Sequence, residues 1–85
     1  MLYAVEFLPS AVRVLHKLAP DIQKRLVSSI EHLGVDPRPR GCKKLHGKPD
    51  LYRIRVGDYR VIYKVDDGVL RVLVVALGHR GGIYG

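Results

Sequence analysis

The sequence predicts an α+β fold: two antiparallel N-terminal helices packed on one face of a mainly antiparallel four-stranded sheet, in the order β-α-α-β-β-β. Three observations carry this expectation. Apolar residues recur at helical spacing from Leu8 to Leu33. Residues 51–64 alternate with a period of two about a Gly57-Asp58 connector. Residues 69–77 form a nearly unbroken aliphatic run between two glycine-containing turns. At 85 residues the chain is one domain, spanning 1–85, with room for a single modest core.

The elements follow in order. Residues 2–7 read as a strand with Tyr3, Val5 and Phe7 inward. Leu8, Ala11, Val12, Leu15 and Leu18 then make a helical stripe, with Ser10, Arg13 and Lys17 on the wet side. Pro9 suits the first turn of that helix, and Ala19-Pro20 breaks it and starts another. In the second helix Ile22, Leu26, Ile30 and Leu33 face inward, Asp21 complements the N-terminal dipole, and Gly34 stops the run. Val35 to Gly41 contains two prolines and cannot be helix or central strand, so it is a stiff basic crossover. Residues 43–50 suggest a short strand and a turn that aim Lys44 and His46 beside the following hairpin.

In that hairpin Tyr52, Ile54 and Val56 share one face, and Leu51, Arg53 and Arg55 the other. A two-residue connector with Gly first suits a type II′ turn, which sets Val56 opposite Tyr59, Arg55 opposite Arg60 and Ile54 opposite Val61. The helices should cover the apolar face. Like charges directly opposite one another cost stability, so the paired arginines suggest a polyanion lying across the other face. Outer-face arginines can also be plain solvated residues, and a different loop type would shift the register.

Charge distribution sharpens the point. Residues 1–37 carry four bases and four acids, whereas residues 38–64 carry nine bases and two acids. Residues 65–85 are balanced, so the whole net charge of +7 falls in the middle third. Nucleic acid is the favoured partner on that pattern, and an acidic protein fits on charge alone. Cys42 is the sole cysteine, which excludes an intrachain disulfide and a cysteine-based zinc site. No apolar run approaches a membrane span and no signal peptide is evident, so a cytoplasmic protein is expected.

Familiar enzyme motifs are missing. Asp66 and Asp67 are explained by a turn, and Ser10, Ser28 and Ser29 lie on helices without a nearby base. His16 and His32 read as surface or rim residues, with no second ligand at metal spacing. No metal and no cofactor is expected. Chemistry must come from Arg, Lys, His and Tyr, a set that stabilises anionic phosphorus and moves a proton. RNA cleavage needs nothing more, because the 2′-OH supplies the nucleophile.

Lys44-Leu45-x-Gly47-x-Pro49-Asp50-x-Tyr52-Arg53-Ile54-Arg55, then Tyr59-Arg60-Val61-Ile62-Tyr63, then Gly78-His79-Arg80 with Tyr84, resembles the RelE/ParE superfamily of toxins, the RelE branch most. The likeness covers essentially the whole chain. It implies a microbial-ribonuclease-like fold and a toxin of a type II toxin–antitoxin system, a metal-independent endoribonuclease that cuts mRNA in the ribosomal A site. It also implies a cognate antitoxin, expected to be acidic, partly helical and wrapping, alongside ribosome and mRNA as partners and no membrane. By residue matching, Arg60 and Arg80 would hold the scissile phosphate and Tyr84 would stack on or orient the substrate base. Arg53 and Arg55 occupy basic positions that the best-studied relative fills with lysine. Arginine stays charged at any useful pH, so these two can stabilise a transition state but are poor bases. His46 and His79 are the candidate substitutes, with Lys44 and Lys48 as further RNA contacts. Relatives often carry a further C-terminal helix, and its lack here would leave an edge for a partner to cover. The rival implications are a ParE-like inhibitor of DNA gyrase with no enzymatic activity, and an inactive antitoxin-binding module. Gly78-His79-Arg80, Tyr84 and the basic strand favour RelE, since a gyrase binder has no evident need for converging phosphate ligands.

Overall fold

The hairpin closes on Gly57-Asp58 as the alternation requires. In the computed structural model, which describes residues 2–79, Val56 pairs with Tyr59, Arg55 with Arg60, Ile54 with Val61 and Arg53 with Ile62. Gly57 has φ +61° and Asp58 is not in the left-handed region, which is the pattern of a type II′ turn. The strands so joined are β3 (Leu51–Val56) and β4 (Tyr59–Asp66).

Before them come β1 (Ala4–Phe7), α1 (Pro9–His16), α2 (Pro20–His32) and β2 (Lys43–Lys44), and after them β5 (Arg71–His79). Each helix opens with proline in its first turn. There the absent N–H costs nothing and φ is already helical. The sheet order is β1-β5-β4-β3-β2, with β1 parallel to β5 and every other pairing antiparallel. Among the described residues the sheet therefore has five strands, not four. The one missing from the count of four is the short strand expected within 43–50, here the two-residue β2, which pairs Lys43 with Arg53 and Lys44 with Tyr52.

Both helices lie on one face. α1 packs on β5 and α2 on β3, and Leu15, Leu26, Ile30 and Leu33 meet Ile54, Val61, Tyr63, Val72 and Val74 in one core. Tyr3, Val5 and Phe7 pack against it as the alternation predicts, whereas Leu8 stays 37% exposed at the N-cap of α1.

β5 departs from expectation in two ways. It starts at Arg71 rather than Val69, because the turn runs on through Leu70, whose φ is +54°. It is also covered on one face only. Val72, Val74 and Leu77 are buried, while Leu73, Val75 and Ala76 are half-buried. A register shift beside Ile62 and Tyr63 changes the inward positions from 72 and 74 to 77.

The crossover is bound down rather than loose. The buried Tyr63 hydroxyl donates to the Pro37 carbonyl at 2.8 Å, and burial pushes that phenol's pKa up. Arg38 lies over the Tyr52 ring, donates to the Tyr52 hydroxyl and forms a two-pronged bridge to Asp67. The Tyr3 hydroxyl donates to the same carboxylate at 2.6 Å. Asp66 is explained by its turn, accepting from the backbone N–H of Gly68 and Val69. Asp67 is not: it neutralises Arg38, one of the nine bases assigned to the polyanion face. Among the described residues no helix is long and apolar enough to cross a membrane.

Candidate functional site

The face of the sheet away from the helices carries a cleft of about 260 Å³ between the β3–β4 hairpin and the loop 45–50. Alternation puts Arg53 of β3 and Arg60 of β4 on that face, in ladder pairs separated by the intervening Ile54–Val61 pair. The loop brings His46 and Lys48 to the rim. It is held in shape by its own backbone: Leu45 N–H donates to Leu51 C=O, Lys48 N–H to Leu45 C=O, and Val65 N–H to Asp50 C=O. Gly47 at φ +71° permits the reversal between them.

The cleft is cationic on an apolar floor. Ile62 lies at its base, only 2% exposed although on the outer face of β4, and Leu45 and Leu51 wall it. The Nε atoms of Arg53 and Arg60 are both buried without a hydrogen-bond partner. Native proteins rarely leave buried donors unpaired, and those that occur mark strained or functional places. Burial lowers the pKa of Arg53, and the neighbouring charges of Arg55 and Arg60 lower it further. The site thus stores unfavourable positive potential that an anion would relieve.

The remaining predicted residues divide. Arg55 is opposite Arg60 but lines an adjoining groove toward α2 rather than the cleft. Lys44 is opposite Tyr52, on the side of β3 that faces the helices, and it is Lys43 that falls opposite Arg53. His79 pairs with Tyr59, and their rings meet edge-on at 5.4 Å, so it does not join the cleft. Of the two candidate histidines only His46 lines it. Arg80 and Tyr84 lie outside the described residues.

Sequence reading missed the walls. Leu51 is legible on the arginine face from alternation, Ile62 only as an odd apolar residue at an outward position between Arg60 and Lys64, and Leu45 not at all. Among the described residues no three His, Cys, Asp or Glu side chains are grouped to hold a metal.

The family model for the ParE toxin of the parDE type II toxin–antitoxin system matches residues 5–84. Toxin RelG of Mycobacterium tuberculosis is 33% identical over 85 residues, covering 99% of this chain and 98% of that one. The chain belongs to the RelE/ParE toxin superfamily, on its RelE-like branch. The mRNA interferase toxin RelE of Escherichia coli is 30% identical over 82 residues, covering 94% of this chain and 85% of the relative. Among solved structures, the archaeal RelE–RelB complex of Pyrococcus horikoshii superposes with a TM-score of 0.84 at 34% identity, covering 96% of this chain and 99% of that one. The RelE-like assignment agrees with a basic cleft on the uncovered face of the sheet.

Proposed function

We propose that this chain is the toxin of a type II toxin–antitoxin pair, a metal-independent endoribonuclease that cleaves mRNA in the ribosomal A site. The observation that carries the reading is the pair of buried, unpartnered guanidinium Nε groups of Arg53 and Arg60 in one cleft. In the reaction the 2′-oxygen attacks the adjacent phosphorus and the bond to the 5′-oxygen breaks. A cyclic phosphate results, and the departing 5′-oxygen takes a proton from solvent to leave as a free hydroxyl. Arg53 and Arg60 donate to the non-bridging oxygens as charge gathers there. Arg55 adds positive potential from across the ladder. His46 at the rim takes the proton from the 2′-hydroxyl, and Lys48 holds a flanking phosphate. Arg80 and Tyr84 would complete the phosphate clamp and orient the base, as the family resemblance implies.

A cognate antitoxin belongs to this reading, since the similar RelBE2 of Mycobacterium tuberculosis was solved as a toxin–antitoxin complex. Its expected form is an acidic, partly helical segment that wraps onto residues 38–64.

Primer extension on a message translated in a purified system, with and without ribosomes, tests the proposal. Cuts confined to translated RNA support it. Intact RNA with blocked gyrase supercoiling would assign the chain to the ParE activity instead. Intact RNA with antitoxin binding alone would leave an inactive binding module.

A further inference from the structure

One strained residue shapes the loop that brings His46 to the cleft. Among the described residues other than glycine, only Asp50 and Leu70 have positive φ, +65° and +54°. Leu70 lies in the β4–β5 turn, whereas Asp50 joins the cleft loop to the start of β3. The φ of Pro49 is fixed by its ring, so the reversal into β3 falls on Asp50. After glycine, asparagine and aspartate bear the left-handed region best.

Hydrogen bonds hold the strained residue on both sides. Asp50 C=O accepts from Val65 N–H of β4 at 3.1 Å. The next residue, Leu51, donates to Lys48 C=O at 3.4 Å and accepts from Leu45 N–H at 2.9 Å. Leu45 C=O accepts in turn from Lys48 N–H at 3.2 Å. Leu45, Lys48 and Leu51 are thus tied together with His46 between them, and all four line the cleft. The Asp50 carboxylate is not used in this way. Asp50 is exposed, does not line the cleft, and enters neither ion pair of the described residues. On charge alone an acid next to an RNA cleft opposes the ligand, which leaves the backbone as the reason for it.

We infer that Asp50 is a positioning residue, whose left-handed backbone rather than its carboxylate aims His46 at the substrate's 2′-hydroxyl. The inference rests on the proposed cleavage with His46 as the base. Arg53 and Arg60 stand on paired strands, so they hold the phosphate whatever the loop does. The loop decides whether a proton acceptor stands beside it. Lys48, Arg53 and Arg60 are the charged groups lining the cleft with His46, and histidine is the type that ordinarily titrates near neutrality.

Four variants test it. Asp50→Gly and Asp50→Asn keep the left-handed region open, Asp50→Ala penalises it, and Asp50→Val does so most. Circular dichroism checks folding, and cleavage is measured against ribosome concentration and pH. The glycine and asparagine variants should keep kcat near wild type. Asp50→Val should lose about 10²-fold in kcat, the usual effect of a misplaced group, with KM little changed because the phosphate contacts are on strands. Asp50→Ala should fall between, and it carries the test if Asp50→Val does not fold. The acid limb that a histidine base gives the pH–rate profile should flatten in Asp50→Val. In a His46→Gln background Asp50→Val should cost far less than in the native one, since groups acting as a unit are not additive. Wild-type kcat in both Asp50→Ala and Asp50→Val overturns the inference. So does a loss of kcat in Asp50→Asn or Asp50→Gly, or an Asp50→Val loss that adds in full to that of His46→Gln. If even the wild-type chain fails to cleave, the proposed function falls, and amide exchange still decides the loop. The Leu45 and Val65 N–H groups should stay protected in Asp50→Asn and open in Asp50→Val, and equal protection in both would refute the role given to Asp50.

Discussion

Arg55 and Arg60 face each other directly across the β3–β4 ladder, a position at which like charges repel. No ion pair among the described residues relieves either one. Arg53 shares their face, and its own pKa is held down by burial and by these two charges. A hairpin serving only the fold would gain by exchanging one of the three for a neutral β-former. Retaining all three makes sense if the potential is spent on a bound anion.

Arg60→Thr should therefore leave stability unchanged or slightly raised. Threonine is a good strand residue, and the exchange removes a buried unpartnered Nε and a repulsion of roughly 0.2–1 kcal/mol. Cleavage should fall about 10²–10³-fold, the usual loss for one oxyanion-type donor. Arg13→Gln, on the exposed side of α1, is the control and should alter neither property. Melting temperature and ribosome-dependent cleavage on the same preparation decide the matter. A destabilised variant that stays active per folded molecule would remove the hairpin from the catalytic face.

Arg53→Lys probes the base. Below its folded pKa Arg53 is charged throughout the working range, so the cost of its burial is constant there and is relieved only as pH rises through that value. Lysine has a lower ordinary pKa, about 10.4, and the same burial and neighbours would lower it further, bringing a neutral amine within reach. The variant should gain an activity component that grows with pH, while His46→Gln in the native background should lose about 10²–10⁴-fold. A His46→Gln enzyme that keeps wild-type rates shows that the proton leaves by another route.

Periodicity carried most of the fold. The β3–β4 register, the helix stripes and the proline starts are all local, and each follows from spacing or from a missing N–H. What escaped was set by tertiary contact. The short strand expected within 43–50 is there as Lys43–Lys44, but its pairing with Arg53 and Tyr52, which makes it the fifth strand of the sheet, shows no alternation to read. The register shift beside Ile62 and Tyr63 leaves no mark in an aliphatic run, so β5 read as covered on both faces. In the site, Arg53 and Arg60 were legible from alternation. His46 lines the cleft beside the hairpin as expected, whereas the placement of His79 against Tyr59 depended on pairing that no spacing reports. Arg38 and Asp67 are 29 residues apart, and their bridge could be seen only once folded.

That bridge yields a pH prediction. The Asp67 carboxyl is held below its ordinary value of 3.8, first by hydrogen bonds from Arg38 and then by that from Tyr3. A depressed carboxylate contributes stability that is present above the unfolded value and lost as pH falls through the folded one. Asp67→Asn should therefore melt below wild type at neutral pH, by an amount that stays constant down to about pH 4 and shrinks below it. Both partners are partly exposed, so added salt should narrow the gap as well. A difference that persists undiminished under strongly acidic conditions would mean that Asp67 acts through shape, not charge.

Gly57→Ala tests how the hairpin is held. At φ +61° an L-residue meets its own carbonyl, a cost of about 1–2 kcal/mol, which for a domain of this size lowers Tm by about 4–8 °C per kcal/mol. The new methyl would also meet Arg25 Nη2 at 3.1 Å, the far end of a flexible side chain that can swing away. The two contributions separate in the Arg25→Ala background. If the backbone dominates, Gly57→Ala costs the same with and without Arg25, and the effects add. Cleavage per folded molecule should survive, because register is fixed by Ile54 and Val61 in the core as well as by the turn. Should Gly57→Ala retain full stability but lose cleavage, the turn would be reorganising Arg55 and Arg60 rather than straining in place. That pairing would then be set by the turn alone.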